Sequence, residues 1–250
     1  MPLPAEPPYL RLLSVGLGAG LEEPVLARVL SYCSHETIER GEYLWQAGDV
    51  ASFFVIIESG MMRLTQATPN GKPVVVELLG CGDCMGLLAT IGNTHHPFSA
   101  LSLTPVNLLK IDSAAWREHC ISQPAMLRRA AELIVPRLLN GFGFMACMAT
   151  ASVEARLALS LLLLEELNAR EHGVGETLSI TRQGLADIGV TTIESAIRVT
   201  SRWQKQRVIS AGHGRLTILD RARLQSLAMP ALPNSSLYAS GVFAPVSQTG

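Results

Sequence analysis

A carboxylate and a guanidinium stand four residues apart, at Glu194 and Arg198, inside the segment TRQGLADIGVTTIESAIRVTSRWQKQRVI that covers residues 181 to 209. If Thr192 to Gln206 is helical, Ala196, Val199 and Trp203 recur at the spacing that buries one stripe of a helix. Ile193, Glu194, Ile197, Arg198 and Ser201 then share another face. Two chemistries fit that face. Glu194 and Arg198 could form an i, i+4 salt bridge, worth roughly 0.2–0.5 kcal/mol. Alternatively, the face suits a DNA major groove: Arg bonds guanine O6 and N7, Glu accepts from cytosine N4, and an aliphatic group meets a thymine methyl. Two solvent-facing isoleucines beside the charged pair make poor surface for a helix that meets only water, which favours the second reading.

The neighbouring segments are those a groove-reading helix needs. Ahead of it, Leu185, Ala186 and Ile188 supply a short first helix that Thr181 can cap, with Gly189 near the bend. Behind it, VISAGHGRLTILDRARL alternates apolar and polar residues around Gly212 and Gly214, as a β-hairpin wing does. Helix, turn, helix, hairpin is a winged-helix arrangement. Residues 181 to 226 hold eight Lys and Arg, among them Arg182 and Arg202, against the three acids Asp187, Glu194 and Asp220; the whole chain has a net charge of −1. A basic module thus sits on an acidic body, the electrostatic footprint of a phosphate-binding domain.

A length of 250 residues allows two modest domains, each with its own core. The longest nearly unbroken apolar run, Leu157 to Leu164, falls well short of the roughly 20 residues that span a bilayer. The start, MPLPAEPPYLRLL, lacks the basic then apolar pattern of a signal peptide, so a cytoplasmic protein with no membrane partner is expected. Five cysteines, Cys33, Cys81, Cys84, Cys120 and Cys147, are an odd set that reads as free thiols in a reducing compartment. No set of nucleophile, base and orienting group, no Gly-rich phosphate loop and no HExxH spacing stands out, so neither an enzyme nor a metal site is expected.

Along the chain, residues 1 to 20 are Pro/Gly-rich and read as a loose arm, and Leu21 to Cys33 as a short amphipathic helix. From Gly41 to about Ile111, glycines punctuate short apolar runs such as FFVII, VVVELL and VNLLKI, the pattern of an antiparallel barrel or roll. A helix of about Ala125 to Thr150 then lines up Leu127, Ile134, Val135, Leu138, Phe142, Met145 and Met148 along one side. Such a stripe is a candidate dimer seam, through Ile134, Leu138, Phe142 and Met145; packing inside one protomer satisfies the same periodicity. Pro136 and the Gly141/Gly143 pair should weaken or bend this helix. VEARLALSLLLLEEL begins another helix from Ser152, and residues 227 to 250 read as a flexible, uncharged tail.

Over about residues 20 to 226 the sequence resembles the Crp/Fnr family of bacterial transcription regulators. GEYLWQAGDVASFFVIIESGMMRLTQ (41 to 66) followed by GCGDCMG (80 to 86) is similar to the β-roll of cyclic-nucleotide-binding domains. TRQGLADIGVTTIESAIRVTSRW (181 to 203) is similar to the family's helix-turn-helix. The resemblance implies an α+β chain: an N-terminal antiparallel, jelly-roll-like β-roll joined by a long dimerisation helix to a C-terminal winged helix-turn-helix. The corresponding boundaries are an arm at 1–20, a sensor domain at 21–120, the dimerisation helix at 121–151, the DNA-binding domain at 152–226 and the tail at 227–250. It further implies a homodimer on palindromic double-stranded DNA, with RNA polymerase as a further partner. Glu194 and Arg198 occupy the family's base-reading positions. Thr191 and Thr192 lie at the helix start that meets phosphate, and Arg182, Ile193, Ser195, Ile197 and Arg202 complete the expected DNA-facing set. Gly189 stands one position ahead of the family's turn glycine, whose place is taken by Val190.

The effector region departs from the pattern of members that bind cyclic AMP. Their Gly-Glu, which holds the ribose, reads Gly86-Leu87 here, and their Arg-Ser or Arg-Thr, which neutralises the phosphate, reads His96-Pro97. A buried phosphate without an Arg is costly, so neither cyclic AMP nor cyclic GMP is expected to bind. The N-terminal cysteine cluster of iron-sulfur members is missing as well, so that cofactor is not expected. Cys81, Cys84, Gly86, Leu87, His96 and Ser99 line the expected pocket. CxxC has redox and metal meanings, and His95 and His96 stand near the lost phosphate end, so a thiol or metal/haem switch, or a small redox protein, built on Cys81 and Cys84 with His95 or His96, is the alternative to an apolar pocket for another molecule or to no ligand at all.

Overall fold

The computed structural model describes residues 13, 16–18, 22–69, 73–119, 124–212 and 214–228. The chain divides into two compact units, Met1–Val135 with Leu167–Gly173, and Pro136–Glu166 with Val174–Gly250.

In the first unit, helix α1 (Glu23–Leu30) leads into β1 (Cys33–Ile38), β2 (Tyr43–Trp45), β3 (Phe53–Ser59), β4 (Met62–Ala67), β5 (Pro73–Leu79) and β6 (Cys84–Met85). A short helix α2 (Leu87–Ile91), strands β7 (Ser99–Ser102) and β8 (Val106–Asp112) and helix α3 (Ser113–His119) follow. The strands form two four-stranded sheets, ordered β1-β8-β3-β6 and β2-β7-β4-β5, with every pairing antiparallel. The unbroken apolar run FFVII is explained by strand β3, whose two faces are both covered. Val55 and Ile57 join Trp45, Met62, Leu64, Leu79, Met85, Ala100 and Leu108 in the core between the sheets. Phe54 and Ile56 face a second cluster with Cys84, Leu87, Leu109, Ile111, Trp116, Met126 and Ala130.

Two readings of this region change. Leu13 and Leu17, inside the stretch expected to be loose, are completely buried in the second cluster. They share that cluster with Trp116 and Met126, a tertiary fit that the Pro/Gly-rich composition around them conceals. Cys33, expected to end a helix, instead opens strand β1, the polar run CSHETI. It pairs with β8 on one side only, and an edge strand with one solvated face tolerates this composition.

Helix α4 (Pro124–Thr150) runs unbroken through Pro136, so the expected weak point does not end it. By length and composition it is apolar enough to cross a bilayer, although Arg137 and Asn140 keep it from forming an unbroken apolar run. The second unit continues with α5 (Val153–His172), α6 (Arg182–Ile188), α7 (Ile193–Lys205), strands β9 (Ile209–Gly212) and β10 (Arg215–Ile218), and α8 (Arg221–Ala228). Leu157, Leu161 and Leu164 of α5, Leu185 and Ile188 of α6, Ala196, Val199 and Trp203 of α7, and Leu216 and Leu224 are among its buried residues. The tail beyond residue 228 lies outside the described residues.

Candidate nucleic-acid interface

Helices α6 and α7 are set by capping and by close packing of the turn between them. Thr181 and Thr192 are N-caps whose hydroxyls accept from Gly184 N and Ser195 N, each such cap being worth about 1 kcal/mol. Gly189 is buried against α5: a Cβ there would lie 2.7 Å from Leu157 Cδ2. The residue after it, Val190, takes φ +49°, so a β-branched side chain holds the left-handed position that glycine occupies at low cost, at an expense of about 1–2 kcal/mol. Arg156 Nη1 donates to Val190 O at 2.9 Å and to Met148 O at 3.2 Å, fixing the strained turn from outside.

Along α7 the two faces separate as the periodicity predicts. Ala196, Val199, Thr200 and Trp203 are buried, whereas Glu194, Ile197 and Arg198 are exposed and Thr191, Ile193, Ser195 and Ser201 are half-buried. Glu194 and Arg198 do not form the simple i, i+4 salt bridge. Its own backbone N–H and the Thr192 side chain hold the Glu194 carboxyl below the usual carboxylate range. It is therefore ionised at neutral pH and an acceptor only, favourably placed at the positive end of the helix. Among the described residues Arg198 has no hydrogen-bond or ion-pair partner. Its guanidinium is exposed.

Other basic residues of the expected set have internal duties. Arg202 pairs with Glu154 at 2.6 Å, and the same Glu154 Oε1 accepts from Trp203 Nε1 at 2.9 Å. Arg182 Nη2 donates to Gln204 at 3.3 Å, and Gln204 Nε2 in turn donates to Ala211 O at 2.9 Å, tying α7 to the hairpin. Both arginines position α7, as do Glu154 and Arg156, which sequence reasoning missed. Trp203 lies 49 residues from Glu154, a separation at which no local pattern signals a pairing. The hairpin pairs Arg215 with Gly212 beside its tip, with Gly214 at φ +69°; exposed Arg215 is the basic residue nearest that tip.

The first unit brings the expected pocket residues together only in part. Gly86 (φ +84°) caps α2, and a Cβ there would lie 3.1 Å from His96 Cε1 and 3.3 Å from Phe54 Cα. Leu87 is part of the apolar cluster. His96 is buried and stacks on Trp45 with ring centroids 4.0 Å apart, and its Nε2 has no hydrogen-bond partner. Burial pushes its pKa below the ordinary range, opposed by Asp49, so the ring is neutral at pH 7. Ser99 Oγ accepts from Ala47 N at 2.9 Å. Cys84 lies in the apolar cluster, while Cys81 Sγ donates to Glu58 O at 3.1 Å. Burial above all, together with nearby carboxylates, pushes the Cys81 thiol up. Neither thiol is in a disulfide bond, and no cluster of three or more His, Cys, Asp or Glu suited to a metal ion occurs among the described residues.

Helix α4 carries Leu138 (43% exposed), Phe142 (59%) and Met145 (43%) on its outer side, with Val135 ahead of them. Ile134, expected beside them, packs instead against the cluster around Trp116. Val135, Leu138, Phe142, Met145 and Ala149 alternate spacings of three and four, the a/d pattern of a coiled coil.

Two family models match the chain: the cyclic nucleotide-binding domain over residues 35–123 and the Crp-like helix-turn-helix domain over residues 155–227. The nitrogen fixation regulation protein FixK of Bradyrhizobium diazoefficiens is 28% identical over 190 residues, 75% of this chain and 79% of that protein. The cyclic AMP receptor protein of Thermus thermophilus is 26% identical over 220 residues, 84% and 94% of the two chains. A solved CRP-family transcriptional regulator from Thermus thermophilus shares the fold, with a TM-score of 0.66 at 21% identity over 79% of this chain and 98% of that one.

Proposed function

Because the chain belongs to the Crp/Fnr family of transcription regulators, we propose that it is a sequence-specific regulator that grips a palindromic DNA site as a homodimer, without catalysis. The observation that carries this is the outer face of α7, where Arg198 lies exposed and, among the described residues, unpaired, and Glu194 is exposed at the helix start. An exposed guanidinium with its fork free matches guanine O6 and N7, and an ionised acceptor matches cytosine N4. Arg215 near the hairpin tip is placed to meet phosphate, and the apolar stripe of α4 supplies the seam that pairs two reading heads. Such a protein works in the cytoplasm, with RNA polymerase as its further partner.

Selection of bound sequences from a random DNA pool, with oxidised and with reduced protein, tests the reading. The expected product is an inverted repeat with half-sites about one helical turn, roughly 10–10.5 base pairs, apart. Binding should weaken steeply as salt rises, because phosphate contacts release counterions. A pool that shows no enrichment, or a site without two-fold symmetry, overturns it.

The sensor half reads as indifferent to cyclic nucleotides. Leu87 offers no acceptor for a ribose, and neutral His96 offers no cation for a phosphate. Calorimetric titration with cyclic AMP and cyclic GMP is expected to return no binding heat; micromolar affinity for either defeats this reading. A thiol switch draws less support than an apolar or ligand-free pocket, since a thiol with a raised pKa is a poor source of thiolate and Cys84 is packed in the core.

A further inference from the structure

Base reading by Glu194 and Arg198 leaves half of the α7 face without a role. At about 100° per residue, Ile193 and Ile197 lie roughly 40° apart around the helix, Glu194 and Arg198 likewise, and the two pairs are centred about 100° apart. The face therefore has an aliphatic edge and a charged edge. Ile197 is 42% exposed, while Ala196, Val199 and Thr200 beside it are buried; it belongs to the outer face. Single exposed aliphatic residues are ordinary on protein surfaces. This one adjoins an unpaired guanidinium, and Ile193 extends it by one helical turn, so a groove that admits Arg198 brings base edges against Ile197 as well.

In a major groove the apolar feature that distinguishes a base pair is the thymine 5-methyl group. Resting on the DNA-binding reading above, we propose that Ile197, extended by Ile193, is a specificity-determining residue that recognises the 5-methyl of a thymine beside the base pair taken by Arg198. A buried methyl removes apolar surface from water on both partners. Its loss is expected to cost about fourfold in affinity per half-site and about 15-fold when both half-sites lose it.

The test uses the full-length protein and the site enriched from the random pool. Each thymine is replaced symmetrically, in both half-sites, by deoxyuridine, which lacks only the methyl group, and binding is measured at one fixed salt concentration. The expected result is one position at which deoxyuridine weakens binding about 15-fold. Ile197→Ala should bind the thymine site more weakly by a similar factor and respond equally to thymine and deoxyuridine there. Because Ile197 is exposed, circular dichroism of the variant should match the parent. If every deoxyuridine site binds as well as thymine, or Ile197→Ala keeps the parent's sensitivity, the assignment is overturned while sequence-specific binding stands. If the pool yields no site, the DNA-binding reading fails and this assignment fails with it.

Discussion

Arg198→Ala is expected to bind its selected site on the order of 30- to 10⁴-fold more weakly, because each half-site loses a bidentate base contact worth about 1–3 kcal/mol and a dimer loses two. The loss should come with relaxed preference at one base pair per half-site, and the salt dependence should stay as in the parent. Arg198→Lys keeps the charge but not the fork, and should recover only part of both the affinity and the base preference. Folding should be indifferent to both changes, since Arg198 is exposed and unpaired among the described residues and such surface substitutions usually fall within about 0.5 kcal/mol. Competition binding across all four bases at each site position, with thermal melts of the same samples, checks these points. A variant that loses affinity equally on every sequence, with a shallower salt slope, would make Arg198 a phosphate contact and move the reading head elsewhere on α7.

Helix α7 was visible in the sequence. Its apolar spacing at Ala196, Val199 and Trp203 and its Thr192 cap are local signals, and the helix spans Ile193–Lys205 with that stripe buried. The roll was legible for the same reason, from short apolar runs between glycines. What holds the reading helix in place was not. Glu154, which receives both Trp203 and Arg202, and Arg156, which clasps Val190, lie in another helix whose sequence reads only as amphipathic. Nor does the sequence show that Val190 adopts the left-handed turn conformation, because a β-branched residue is the last one local propensity would put there. The stack of His96 on Trp45 likewise joins residues far apart in the chain. Local periodicity and capping reveal elements, whereas hydrogen bonds and ring contacts between elements depend on the folded arrangement.

The long helix α4 is where local pattern allowed two answers, and Phe142→Asp decides between them. Phe142 is the most exposed of the seam residues at 59%, and a helix lying in one protomer's own core would have covered it. A bilayer span would be apolar all round, yet α4 carries Arg128, Arg129, Glu132 and Arg137, and Arg129 pairs with Glu132 at 2.9 Å. An apolar stripe on one face, at alternating spacings of three and four, is the pattern a second copy of the same helix covers. Placing Asp at the centre of that seam sets two carboxylates against each other across the two-fold axis in a desolvated contact, which costs several kcal/mol. Sedimentation should then find a folded monomer, with circular dichroism like the parent's. Affinity for the palindromic site should fall on the order of 10²- to 10⁴-fold, because the second half-site is no longer engaged from the same molecule. Non-specific binding, which each reading head makes through its own phosphate contacts, should survive at low salt. If Phe142→Asp stays dimeric and binds the palindrome as the parent does, the protomers meet through another surface, and the stripe on α4 needs a different partner.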